Sequence, residues 1–211
     1  MLLAYLIMPP IVLLAYLIML PIAITAHEFM HAYVGYRLGD PTAEREGRLT
    51  LDPRKHIDPV MTILLPLLLI VSGSPVVFGA ARPVPFNPYL VKGGRKGAAL
   101  VALAGPLTNL ALALVVGLYL RFLPFDVPLV REILENFVML NLGFFVFNMI
   151  PFPPLDGSRV LYAFLPDSLR DLMDRIEKFG MMGIFLFLFL LYPLIRPVIS
   201  QLIIGLYNLI V

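Results

Sequence analysis

The chain has 211 residues, 60% of them apolar, and a mean hydropathy of +0.90. Soluble domains carry roughly 45–50% apolar residues, so an ordinary soluble domain is excluded and a polytopic membrane protein is expected. The net charge of +2 is too small to point to nucleic acid, and the absence of cysteine excludes disulfides and thiolate metal ligands.

The N-terminus lacks the basic n-region of a cleavable signal and meets Pro9-Pro10 at once, so it reads as mature protein. Leu-Leu-Ala-Tyr-Leu-Ile-Met occurs at residues 2–8 and again at 13–19. It does not recur, so it is no repeat architecture. Residues 1–10 form an extension without an assigned role.

The first span is expected over residues 11–37, with Pro10 near its start and Pro21 inside, where it should kink the helix. Gly39-Asp40-Pro41 ends it, and a charged loop follows to Pro59. Residues 61–71 are apolar but too few to span comfortably, which suggests a re-entrant or part-spanning segment. Residues 76–88 are rich in proline and β-branched side chains and predict extended chain. Residues 97–120 and 133–150 predict a second and a third span. Residues 167–178 predict an amphipathic helix at the interface. Residues 180–195 and 198–211 are two further apolar segments. The expected fold is thus an all-α polytopic membrane protein. It has five to six transmembrane or part-spanning helices and a short membrane-associated extended, β-like region, all in one domain over 1–211.

Basic residues cluster in the loop after the first span, in the stretch before the second and after the third, while the loop between the second and third holds only Arg121 and Arg131. The positive-inside rule puts the three basic segments on the cytoplasmic face, provided residues 61–71 return to the side they left.

His27-Glu28-Phe29-Met30-His31 is an HExxH motif inside an apolar helix. Residues four apart share a helix face, so both imidazoles can ligate one zinc ion. Glu28 points about 100° away and can instead take a proton from water activated by the metal. Two core histidines and a surface glutamate would be the plain alternative, but ionisable groups in a span are costly and need partners. His27 precedes Arg37 by ten residues and lies about 15 Å below it; His31 lies about 9 Å below.

A catalytic zinc usually has three protein ligands. His56, Glu44, Glu46, Asp58 and Asp156 are the candidates for the third. Asp156 is favoured because the third span returns to the face that holds His31. Pro151, Pro153 and Pro154 also stop the helix and permit irregular backbone there. A plain Asp-Gly turn at the membrane surface is the alternative reading.

Three stretches then carry a family likeness. HEFMH in the first core helix, Ala104-Gly105-Pro106-Leu107-Thr108-Asn109 in the second, and residues 148–157 after the third resemble the site-2 protease family of intramembrane zinc metalloproteases. Gly39-Asp40-Pro41-Thr42-Ala43, residues 47–53 and His56-Ile57-Asp58-Pro59 resemble its small prokaryotic branch without extra domains. The resemblance implies His27, His31 and Asp156 as zinc ligands and Glu28 as base. It implies Asn148 as a polar residue near the metal, able to polarise a carbonyl or hold an oxyanion, though a helix-capping role is the alternative. It implies a structural or supporting role for Asn109, and close helix packing at Gly105 and Pro106.

The family further implies a transmembrane protein as substrate, unwound locally before cleavage, in a prokaryotic inner membrane. Residues 76–88 or 48–53 could pair with that client as an added strand. The larger relatives' peptide-binding and nucleotide-sensing domains are not expected here. A zinc-binding membrane protein without proteolysis, such as a transporter or an inactive homologue, is the first rival. A structural or assembly factor is the second.

Overall fold

The computed structural model describes residues 10–72, 79–123 and 127–211. The first copy of the duplicated heptamer and most of the N-terminal extension lie outside these residues, as does 76–78 of the expected extended stretch.

Helix α1 (Pro10–Arg37) carries Pro21 within it. It stops where Gly39 takes a φ of 104°. The Asp40 amide returns to the Gly35 carbonyl and the Gly39 amide to that of Tyr36, a Schellman closure that a glycine favours. A one-turn α2 (Thr42–Arg45) and a 3₁₀ turn (Pro53–Lys55) punctuate the following loop. A π-helical turn (Pro59–Leu64) then leads into α3 (Leu65–Val71). Asp58 caps that turn by accepting from the Val60 and Met61 amides. Residues 81–87 form neither helix nor paired strand.

Helix α4 (Gly94–Phe122) is the centre of the bundle and packs on α1, α5 (Pro128–Asn148) and α6 (Asp156–Tyr162). Its inward face holds Gly97, Ala102, Ala104, Gly105, Ala113 and Gly117; such small residues let backbones approach closely. At the far end Ala113 and Leu120 of α4 meet Val138 and Leu142 of α5 and Ile210 near the C-terminus. Helix α7 (Asp167–Lys178) is the expected amphipathic helix. It is tied to α6 through Arg159 with Glu177 and Tyr162 with Asp174.

Among the described residues three helical stretches are long and apolar enough to cross a membrane: Leu14–Arg37, Gly94–Phe122 and Met182–Ile210. The last one corrects an expectation. Residues 180–195 and 198–211 are not two segments but one helical run, made of α8 (Gly180–Leu186), a π-helical turn (Phe187–Leu191) and α9 (Tyr192–Ile210). Pro193 lacks the N–H that an α-helix would use there, and the wider π turn just before it accommodates that loss. The turn at Pro59–Leu64 precedes Pro66 in the same way. Helix α5 begins at Pro128, earlier than expected, and its first turns carry Arg131, Glu132 and Glu135.

Candidate metal centre

His27 and His31 sit one turn apart on α1, and Asp156 opens α6 just past the proline-rich stretch that follows α5. The fold brings these three side chains to one point. His27 Nε2 lies 3.1 Å and His31 Nε2 3.3 Å from Asp156 Oδ2, and the two Nε2 atoms are 2.9 Å apart. One donor atom from each lies within 4.8 Å of the others. Two ligands 2.0–2.1 Å from a tetrahedral zinc stand about 3.3 Å apart, so the spacing fits that ion.

The imidazoles are held from behind. His27 Nδ1 donates to Asn109 Oδ1 at 2.6 Å, and His31 Nδ1 donates to the Val101 carbonyl at 2.7 Å. With the proton on Nδ1, each Nε2 keeps its lone pair for a metal. Asn109 is oriented in turn: its Nδ2 donates to the Ala23 carbonyl and to Asn141 Oδ1, while Asn141 Nδ2 donates to the Phe137 carbonyl. Both asparagines are fully buried. The chain of amides therefore ties α1, α4 and α5 together behind the His27 ring.

Two glycines make room. A Cβ on Gly105 would come within 2.3 Å of His31 Nε2 and 2.6 Å of His27 Nε2. A Cβ on Gly157 would meet the Met149 carbonyl oxygen at 2.3 Å. The first glycine lets α4 pass behind both imidazoles; the second lets the chain after α5 fold tightly enough to present Asp156.

Glu28 is buried and accepts from the Val84 amide at 3.1 Å. That amide belongs to the non-helical segment, whose even residues are bonded in sequence. The Ala80 amide donates to the Met61 carbonyl and the Arg82 amide to the His56 carbonyl. The Ala80 carbonyl accepts from Thr62 Oγ1, and the Arg82 carbonyl from Arg48 Nη2 at 2.5 Å. Burial pulls the Arg48 guanidinium below its ordinary pKa, with repulsion from Arg82 in the same direction, while Glu28 and Glu46 act against it.

The other candidates for a third ligand stand elsewhere. His56 is fully buried with Nε2 2.8 Å from the Thr50 carbonyl. Glu44 and Glu46 are exposed, and Asp58 caps a helix. Asn148 ends α5 and donates from Nδ2 to the Phe144 carbonyl; it makes no hydrogen bond to the His-His-Asp group. Sequence reading missed Asn141 and Val84. Asn141 could have been flagged as a strongly polar residue in an apolar run; nothing local marks Val84.

The model of the family described as "Peptidase family M50" matches residues 127–191. YwhC of Bacillus subtilis (strain 168) is 41% identical over 173 residues, covering 77% of this chain and 74% of its own length. Rip2 of Mycobacterium tuberculosis (strain ATCC 25618 / H37Rv) is 34% identical over 169 residues, covering 79% of this chain. Rip2 of Mycolicibacterium smegmatis (strain ATCC 700084 / mc(2)155) is 31% identical over 176 residues, covering 83%. The chain spans 62% and 64% of the length of these two. All three carry the name "Putative zinc metalloprotease". No solved structure gives a significant match. Likeness of this extent to YwhC means that the chain belongs to peptidase family M50, the site-2 protease family, and is a membrane protein and zinc-dependent hydrolase.

Proposed function

We propose that the chain cuts peptide bonds in or near transmembrane segments of client proteins, inside the bilayer and nearer its cytoplasmic face. One observation carries this reading: the donor atoms of His27, His31 and Asp156 lie within 4.8 Å of one another at the wall of an apolar bundle. His27, His31 and Asp156 are the zinc ligands. Asn109 and the Val101 carbonyl hold the imidazole rings in the tautomer that ligation needs. Zinc held there supplies Lewis acidity, which polarises a carbonyl and lowers the pKa of water toward neutrality.

Glu28 takes the proton of the attacking water and passes it to the leaving amine. Asn148 polarises the scissile carbonyl once a client is bound, using the second N–H of the amide whose first donates to the Phe144 carbonyl. The client lies as an extended strand along residues 79–88 or 48–53. The single domain over 1–211 has five to six spanning or part-spanning helices, counting α3 and α5, and lies in a prokaryotic inner membrane. The loops before α4 and after α5 face the cytoplasm.

Glu28→Gln tests the chemistry. Glutamine still accepts from the Val84 amide, so the geometry survives while the base is lost. Reconstituted Glu28→Gln should keep wild-type zinc and lose cleavage of a transmembrane reporter. Retained cleavage would overturn the role of Glu28. Crosslinks from a trapped client that never reach residues 79–88 or 48–53 would overturn the strand pairing.

A further inference from the structure

We infer that Arg48 is a positioning residue for Glu28, acting through the backbone of residues 82–84. The inference rests on the reading of Glu28 as base.

Arg48 is 5% exposed, and a buried guanidinium is costly unless its donors are used. Arginine in a structural ion pair grips a carboxylate with two parallel bonds. Arg48 instead donates from Nη2 to the carbonyl of Arg82, while its buried Nε has no partner. Arg82 is two residues before Val84, whose amide meets Glu28.

In extended chain, residues two apart present their backbone groups on one edge, about 6.6–6.8 Å apart. That spacer is stiff here. Pro83 fixes its own φ, and Arg82 and Val84 each precede a proline and are confined to extended conformations. A shift at the Arg82 carbonyl therefore carries through to the Val84 amide. Both ends of the segment are anchored as well. The Arg82 amide donates to the His56 carbonyl at 2.9 Å, and the Asn87 amide to Asp40 Oδ2 at 2.7 Å. His56 is itself held by its ring on the Thr50 carbonyl. Arg48 is the side chain that clamps this rod beside the base, and it feels the charge of Glu28 across the gap.

The test uses the full chain in vesicles with a transmembrane reporter, comparing wild type with Arg48→Met, Arg48→Lys and Pro83→Gly. Arg48→Met should lower kcat about 10- to 100-fold, since an ångström-scale misplacement of a catalytic group can cost about 10²-fold, with zinc content unchanged. Arg48→Lys keeps one donor and should recover part of the loss. Pro83→Gly changes an exposed residue and loosens the spacer with Arg48 in place; it should lower kcat in the same way, and it decides the matter if Arg48→Met does not fold. Wild-type kcat in Arg48→Met or Pro83→Gly would overturn the inference. So would zinc lost in step with activity, or a raised KM at constant kcat. A wild type that holds zinc yet never cuts the reporter would instead sink the protease reading on which the inference rests.

Discussion

His27 Nδ1 and Asn109 Oδ1 lie 2.6 Å apart, joining α1 to α4 on the side of the imidazole away from His31 and Asp156. The bond sets which nitrogen of His27 carries the proton, and so which one can hold a metal. Outer partners of this kind typically contribute 10- to 100-fold to metal affinity. Asn109→Leu should therefore weaken zinc binding by about that factor. It also strips Asn141 Oδ1 of its donor and His27 Nδ1 of its acceptor, at about 1–3 kcal/mol for each group left unsatisfied. Competition with a zinc-responsive dye and a melting curve read the two effects separately. Unchanged zinc affinity would mean that the bond does not orient His27.

Gly105 and Gly143 make a matched pair. An added Cβ at Gly105 would stand 2.3 Å from His31 Nε2, whereas at Gly143 it meets nothing within 4 Å. Gly105→Ala should force α4 away from the imidazoles, abolish zinc binding and cost about 1–3 kcal/mol from overpacking. Gly143→Ala should leave zinc content alone and stabilise α5 by about 0.5–1 kcal/mol. Equal zinc content in the two variants would contradict the close approach.

Gly157→Ala probes Asp156 without touching it. The new Cβ would collide with the Met149 carbonyl oxygen, so the turn after α5 must open and carry Asp156 off the histidines. Zinc loss with the carboxylate still in the sequence is the expected result. Full zinc occupancy would show that this turn does not set the position of Asp156.

Metal removal should destabilise the protein through linkage. A ligand present at 100 times its Kd adds about 2.7 kcal/mol to stability, so a chelator should lower the Tm of the wild type. His27→Ala, which removes one of the proposed ligands, should melt at one temperature with or without chelator. A chelator effect of equal size in both proteins would place the stabilising metal elsewhere.

The parts of the site that depend on one helix were legible in the sequence. His27 and His31 share a face because four residues make about one turn, and no tertiary information is needed. Asp156 was reached through topology, by asking which chain end returns to the level of His31. Asn109 was reached only through resemblance. The pairing of Asn109 with Asn141 depends on how α4 and α5 are rotated against each other, which no local pattern encodes. The bond from Val84 to Glu28 spans 56 residues and follows from where the loop anchors residues 80–87. The C-terminal apolar region was misread for a local reason. Arg196 and Pro197 look like a break, yet the helix runs through them once a π turn has absorbed Pro193.

Metal analysis of three purified proteins reaches the central claim most directly: wild type, His27→Ala and Asp156→Ala, each prepared without added metal. One zinc per chain is expected in wild type, and far less in both variants, with cleavage of a transmembrane reporter lost in proportion. Full zinc occupancy in Asp156→Ala would contradict a metal centre built from His27, His31 and Asp156.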